Sequence, residues 1–177
     1  NAYATLASGG MRNKPIAIKK VVFPDGKSED LGKPKRTRAF SDGVTYEATK
    51  ILRQNVTSGT GTRANIGCPA AGKTGTTDSF NDAWFVGYTP RLTTAVWVGY
   101  PNAQVEMRSV HGIQVAGGTF PAGNWHDYMM VAKGRDCSDF AKPSTPFESA
   151  PFFGKYASTG VISSDADGKD PNEKDKQ

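Results

Sequence analysis

Nowhere do these 177 residues hold an apolar run approaching the ~18 that a membrane-crossing helix requires, so no segment reads as a transmembrane span. A start methionine, a basic leader and an apolar signal core are all missing ahead of Asn1-Ala2-Tyr3-Ala4-Thr5-Leu6, and the chain reads as a mature fragment that opens inside a structural element. Cysteine is sparse. Cys68 and Cys137 lack the C-x-x-C spacing of a metal site, which leaves two readings open: one disulfide in an oxidising compartment, stabilising by roughly 4 kcal/mol in the loop-entropy model, or two buried thiols. The two histidines, His111 and His126, have no third ligand at metal spacing; structural or surface roles are expected of both, and no metal or other cofactor is implied. Glu106 can be nominated as a general base, but nothing around it in the sequence supports that role.

What is present is a globular composition, 37% hydrophobic and 10% aromatic, on a chain long enough for one domain with a core. Val161 to Gln177 carries five acids against three lysines, so the whole-chain charge of +5 is +7 over the residues before it. A basic body favours polyanions or acidic surfaces, although most such charge is solvated. The densest basic run, Lys33-Pro34-Lys35-Arg36-Thr37-Arg38, reads as a solvated linker in preference to a nucleic-acid or glycan patch.

Tyr3, Leu6 and Ala7 have helical spacing up to a Gly9-Gly10 stop. Pro15 to Phe23 reads as a strand, Pro24-Asp25-Gly26-Lys27 as a turn and Ser28 to Leu31 as a short return, together a peripheral hairpin. Ser41 caps a helix with Val44, Ala48, Ile51 and Leu52 on one face, ending at Ser58-Gly59, and Thr57 to Thr62 is a flexible loop. Ala83 to Tyr88 and Leu92 to Tyr100, joined by Thr89-Pro90-Arg91, are strands apolar on both faces, which require cover on both sides of their sheet. After an irregular Pro101 to Thr119, Pro121 starts a helix with Trp125, Tyr128, Met129 and Ala132 on one face and Gly134 at its stop. Residues 141–177 read as a proline-rich extension followed by an acidic, disordered tail.

Ahead of the two apolar strands lies Ala70-Ala71-Gly72-Lys73-Thr74-Gly75-Thr76-Thr77, which reads as the first strand of an antiparallel meander. Lys73 alternates with Thr74 and Thr76, while Gly75 leaves room for another backbone, a design suited to an edge that receives an extended peptide and its carboxylate. Gly67 to Thr74 also satisfies the phosphate-loop pattern of Gly, four residues, then Gly-Lys-Thr. The context opposes that reading. Arg63 to Ile66 is a poor buried strand, Gly75 to Asp78 a poor helical turn, and Tyr88 and Tyr100 stand where a magnesium-holding acid belongs.

Lys73-Thr74-Gly75 matches instead the Lys-Thr-Gly element that accompanies Ser-x-x-Lys and Ser-x-Asn in penicillin-binding proteins and serine β-lactamases. The segment from Ala71 to Tyr100 closely resembles the transpeptidase domain of class A (bifunctional) penicillin-binding proteins, as do Ala2 to Gly10, Thr57 to Gly61 and Gly117-Gly118 to Met129. The likeness covers most of residues 1–134, so residues 1–140 are read as the C-terminal part of a transpeptidase domain. The cysteine pair and the acidic tail lie outside it.

The resemblance implies an α/β fold of the α+β type, an antiparallel sheet covered by helices on both faces, incomplete in this chain. It implies acyl transfer: a serine attacks a peptidoglycan stem peptide, and the acyl-enzyme passes to an amino group of a neighbouring stem. Lys73 and Thr76 are the implied catalytic residues, with the Thr76 N–H as an oxyanion donor, and Thr74, Gly75 and Thr76 bind substrate. No Ser-x-x-Lys occurs here, and Ser79-Phe80-Asn81 follows the Lys-Thr-Gly instead of preceding it and is read as coincidence. The implied partners are therefore an N-terminal portion of the same protein carrying both serine motifs, in one chain or separate after nicking, together with stem peptides and β-lactams, and not nucleic acid. The implied location is extracytoplasmic, held at the cell membrane by a segment absent from this chain. A β-lactamase or D,D-carboxypeptidase, and more remotely a non-catalytic peptidoglycan-binding module, share the motif.

Overall fold

The alternating residues between positions 71 and 99 condense into a three-stranded antiparallel meander in the computed structural model, which describes residues 1–149. Four short strands precede it: β1 (Met11–Asn13), β2 (Lys20–Val22), β3 (Ser28–Asp30) and β4 (Arg36–Arg38). The meander is β5 (Ala71–Thr76), β6 (Asp82–Tyr88) and β7 (Thr93–Gly99), in that spatial order. Three helices accompany it: α1 (Ala2–Ala7), α2 (Asp42–Ser58) and α3 (Phe120–Ala132). Residues 1–147 make one compact unit. The acidic tail expected to be disordered lies outside the described residues.

Pairing of Lys73 with Val86, Gly75 with Trp84 and Trp84 with Trp97 sets the two sheet faces. One face carries Thr74, Thr76, Ala83, Phe85 and Val96. Onto it pack Val56 of α2 and Ala122, Trp125 and Met129 of α3, with Phe85 edge-on to Trp125 at 5.4 Å and the Trp125 Nε1–H donating to the Thr94 carbonyl at 3.2 Å. Met107 and Val115, from the irregular stretch after β7, extend this core around Ala83. Among the described residues the other face is covered only at its Tyr88 end, where Tyr3 of α1 and Phe140 make edge contacts with the buried Tyr88 ring. At its centre Trp84 and Trp97 lie against each other, 43% and 37% exposed. Cover for that half of the sheet, expected from apolarity on both faces, is missing among the described residues.

Ser41 caps α2 by accepting the Val44 N–H at 3.3 Å, yet the buried face is not the expected one. Gly43, Thr45, Thr49 and Val56 are buried, whereas Val44 and Ile51 are exposed. The threonines suit burial because their hydroxyls are satisfied: Thr45 donates to the carbonyls of Ser41 and Asp42, and Thr49 pairs with the Tyr88 hydroxyl at 3.0 Å. In α3, Trp125 and Met129 are buried as expected, joined by Pro121 and Ala122, while Tyr128 and Ala132 face solvent.

The strand expected over Pro15 to Phe23 is confined to Lys20–Val22, which pairs with Ser28–Asp30 across the expected turn. Ile16 and Ile18 alternate in the sequence but have no ladder partner and stay 38% and 55% exposed. The basic run is not all linker: Arg36–Arg38 pairs with Met11–Asn13. After α3, Cys137 is disulfide-bonded to Cys68, and the chain then crosses the start of α2, where the backbone amide and hydroxyl of Ser144 both donate to Asp42 at 2.6 Å.

Candidate active site

In an antiparallel pair successive residues turn their backbone groups alternately toward and away from the partner. Along β5 the outward set is identified by its acceptors: the Gly72 carbonyl takes the Asn55 Nδ2–H at 2.8 Å, and the Thr74 carbonyl takes the Lys73 ammonium at 2.9 Å. Thr77, just past the strand, turns inward and donates to the Asp82 carbonyl. The amide of Thr76 therefore belongs to the outward row and points off the free edge of the sheet.

Side chains flank that edge from both sides. Lys73 rises on the open face shared with Trp84 and is exposed. Thr74 and Thr76 lie on the opposite face, where two loops hold them. The hydroxyls of Thr74 and Thr60 are 2.7 Å apart, and Thr60 donates to Asn55 Oδ1 at 3.0 Å. The Gly117 N–H donates to Thr76 Oγ1 at 3.0 Å. Gly117 has to be glycine for this contact: a Cβ there would lie 2.3 Å from the Trp84 carbonyl oxygen and 2.7 Å from both N and O of Gly75. At Gly75 itself a Cβ would meet only the Trp84 Cβ, at 3.3 Å.

Lys73, Thr74, Gly75 and Thr76 are thus brought to one strand edge: a cation on one side, two hydroxyls on the other, an outward N–H between them. This arrangement is chemically suited to the carboxylate end of an extended chain laid along the edge. Asn55, Thr60 and the Gly117 amide complete it; Thr60 and Gly117 fall in stretches that carry the family resemblance, but none of the three was expected at the site. Thr60 sat in a loop read as flexible, and its contact with Thr74 bridges 14 positions; no local pattern encodes that.

Other sequence candidates separate from this edge. Ser79-Phe80-Asn81 lies in the turn between β5 and β6, where Ser79 and Phe80 take left-handed backbone at φ 60° and 58°. The phosphate-loop pattern runs into a strand and not a helix, so Lys73 has no helix N-terminus beside it. Glu106 is paired with Arg108, whose hydrogen bond and charge hold its carboxyl below the usual range, the opposite of what a general base needs. His126 bonds its neighbour Asp127, and His111 sits exposed in the irregular loop.

Residues 1–119 match the transpeptidase family described as the penicillin binding protein transpeptidase domain. Penicillin-binding protein 1A of Aquifex aeolicus (strain VF5) is 37% identical over 131 residues, 73% of this chain and 17% of that protein. Penicillin-binding protein 1A of Mycolicibacterium smegmatis is 36% identical over 156 residues, 81% of this chain and 19% of that protein. The chain therefore spans under a fifth of the length of these curated relatives. Among solved structures, the penicillin-binding protein PonA1 of Mycobacterium tuberculosis in complex with penicillin V superposes with a TM-score of 0.73 at 32% identity, over 82% of this chain and 40% of that one. Penicillin-Binding Protein 1A of Haemophilus influenzae, at 22% identity and TM-score 0.71, shares the fold. On this match, extending over the Lys-Thr-Gly strand and the elements that position it, the chain belongs to the penicillin-binding protein transpeptidase family.

Proposed function

We propose that residues 1–140 supply the carboxylate-holding half of a D,D-transpeptidase site, whose serine nucleophile and Ser-x-Asn element lie on a segment outside this chain. The observation that carries this reading is the convergence on one free strand edge of the Lys73 ammonium, the Thr74 and Thr76 hydroxyls and the outward Thr76 amide. A stem peptide ending in D-alanyl-D-alanine lies along β5 with its terminal carboxylate among the ammonium and the two hydroxyls, which leaves the Thr76 amide for the scissile carbonyl. The serine oxygen attacks the penultimate carbonyl, the terminal D-alanine leaves with a proton, and an amino group of a second stem takes the acyl group. The Thr76 N–H faces the oxyanion of each tetrahedral intermediate, where one such donor is worth ~3 kcal/mol. Lys73 contributes positive charge to the carboxylate and to the Ser-x-Asn serine. β-Lactams, which present a comparable carboxylate and strained carbonyl, acylate the same serine. An extracytoplasmic location belongs to this reading, and the Cys68–Cys137 disulfide supports it.

The test is acylation by a labelled penicillin in the complete protein that contains these residues. Lys73→Ala is expected to slow acylation at least tenfold, as loss of a charge-assisted contact of ~1.5–3 kcal/mol requires. Unchanged acylation would refute the role of Lys73. Release of the acyl group to water alone, with no amine product, would identify a carboxypeptidase or β-lactamase.

A further inference from the structure

The hydroxyl protons around Thr74 can be assigned by elimination. Asn55 Nδ2 donates to the Gly72 carbonyl, which leaves Asn55 Oδ1 as an acceptor. Thr60 has one hydroxyl proton and gives it to that oxygen at 3.0 Å. The 2.7 Å contact between Thr60 and Thr74 then has a single consistent direction, Thr74 donating to Thr60. Thr76 is in the opposite condition: its oxygen accepts the Gly117 N–H, and its proton has no partner among the described residues. The two strand hydroxyls are therefore inequivalent. Thr76 offers a proton; Thr74 offers only lone pairs.

We infer that Thr60 is a positioning residue for carboxylate recognition, acting through Thr74; this rests on the transpeptidase reading above. A carboxylate arriving at the edge meets the free Thr76 proton first. It engages Thr74 only when two hydroxyls rotate together: Thr74 turns its proton to the carboxylate, and Thr60 turns its own from Asn55 Oδ1 to Thr74 Oγ1. No proton leaves its oxygen. The vacated Asn55 Oδ1 is hydrated, because the Thr60 bonds lie at the surface. In the rotated state Thr60 supports Thr74 as a donor, and the chain of hydroxyls polarises the bond to the ligand. Thr60 has its carbonyl packed at the Gly118 backbone, where a Cβ would approach to 2.3 Å, so its position is fixed by the same loop that holds Thr76.

The experiment measures the second-order acylation rate of the complete protein with a penicillin and with its carboxylate methyl ester. Thr60→Val is expected to slow acylation by the free acid about five- to tenfold, roughly one hydrogen bond's worth, with Thr60→Ser within about twofold of wild type. With the ester, and in a Thr74→Val background, Thr60→Val is expected to have no further effect. An equal loss with the ester, or full additivity with Thr74→Val, would overturn the inference by showing that Thr60 is only structural. Thr60→Ala, at an exposed position, provides a second hydroxyl deletion by the same criteria. If the wild-type protein forms no acyl adduct at all, the transpeptidase reading itself fails, an outcome distinct from either of these.

Discussion

Gly117→Ala tests whether the loop before α3 sets the position of the Lys-Thr-Gly strand. The added Cβ would fall 2.3 Å from the Trp84 carbonyl oxygen and 2.7 Å from Gly75 N and O, all backbone atoms of paired strands that cannot swing aside as a flexible side chain would. The loop must lift away from β5. Overpacking of this kind costs about 1–3 kcal/mol, and loss of the Gly117 N–H bond to Thr76 Oγ1 adds about 0.5–1.5 kcal/mol, so a destabilisation of about 2–4 kcal/mol is expected. Gly123→Ala is the control: inside α3, with open space around its missing Cβ, it should be neutral or stabilising by up to ~1 kcal/mol. Denaturant midpoints of the two variants of the complete protein, with penicillin acylation rates, read both effects. A Gly117→Ala protein as stable as wild type, or one that loses stability while acylating at the wild-type rate, would refute the view that this glycine positions Thr76.

Three further outcomes are expected. Removing the Cys68–Cys137 bond, which closes a separation of 69 residues, should lower stability by up to about 4 kcal/mol in the loop-entropy model; equal melting of Cys68→Ser/Cys137→Ser and oxidised wild type would contradict this. The Asp42 carboxyl, lowered from 3.8 to about 2 first by the Ser144 hydroxyl and then by the Ser144 amide, should stabilise the crossing of residues 144–145 over α2 above pH ~4 and lose that contribution as pH falls toward 2; a carboxyl titrating near 3.8 by NMR would exclude it. Tyr88→Phe should cost about 1–2 kcal/mol, because it leaves the buried Thr49 hydroxyl without its partner, and a thermal shift within error of zero would count against that bond.

The strands β6 and β7 were legible as dense, continuous apolar runs bounded by turn residues, and β5 because its Lys-Thr-Gly alternation stands directly ahead of them. Legible too were the cap at Ser41 and the stop after Ala7, where Gly9 and Gly10 take φ 61° and 89°. The face of α2 was not. Its apolar residues Val44 and Ile51 mark a stripe that this chain leaves exposed, while threonines, neutral in any hydropathy pattern, are buried through hydroxyl bonds to backbone and to Tyr88. The strand at Arg36–Arg38 was hidden for a related reason: its three residues are exposed, so its pairing with Met11–Asn13 leaves no apolar trace in its own sequence. At the candidate site, the Lys-Thr-Gly residues are a contiguous motif, but Asn55, Thr60 and Gly117 reach them from two other elements.

The asymmetry of the sheet joins these observations. Phe85 and Trp84 are neighbours on one strand, yet Phe85 is sealed beneath α3 while Trp84 stands 43% exposed beside Trp97. Lys73 belongs to the Trp84 face, and the threonine hydroxyls to the sealed one. The loops on the sealed side fix the hydroxyls and complete what this chain supplies to the edge. On the open side the Lys73 ammonium has one hydrogen-bond partner among the described residues, the Thr74 carbonyl at 2.9 Å. A segment laid over Trp84 and Trp97 would lie beside Lys73, exclude water from it and strengthen its field, since a charge acts further in a poorly hydrated cleft. Under the proposed function, a serine-bearing segment that approached Lys73 from the open side would cover the indole pair as well, and the hydrophobic gain from that contact would help hold the serine in place.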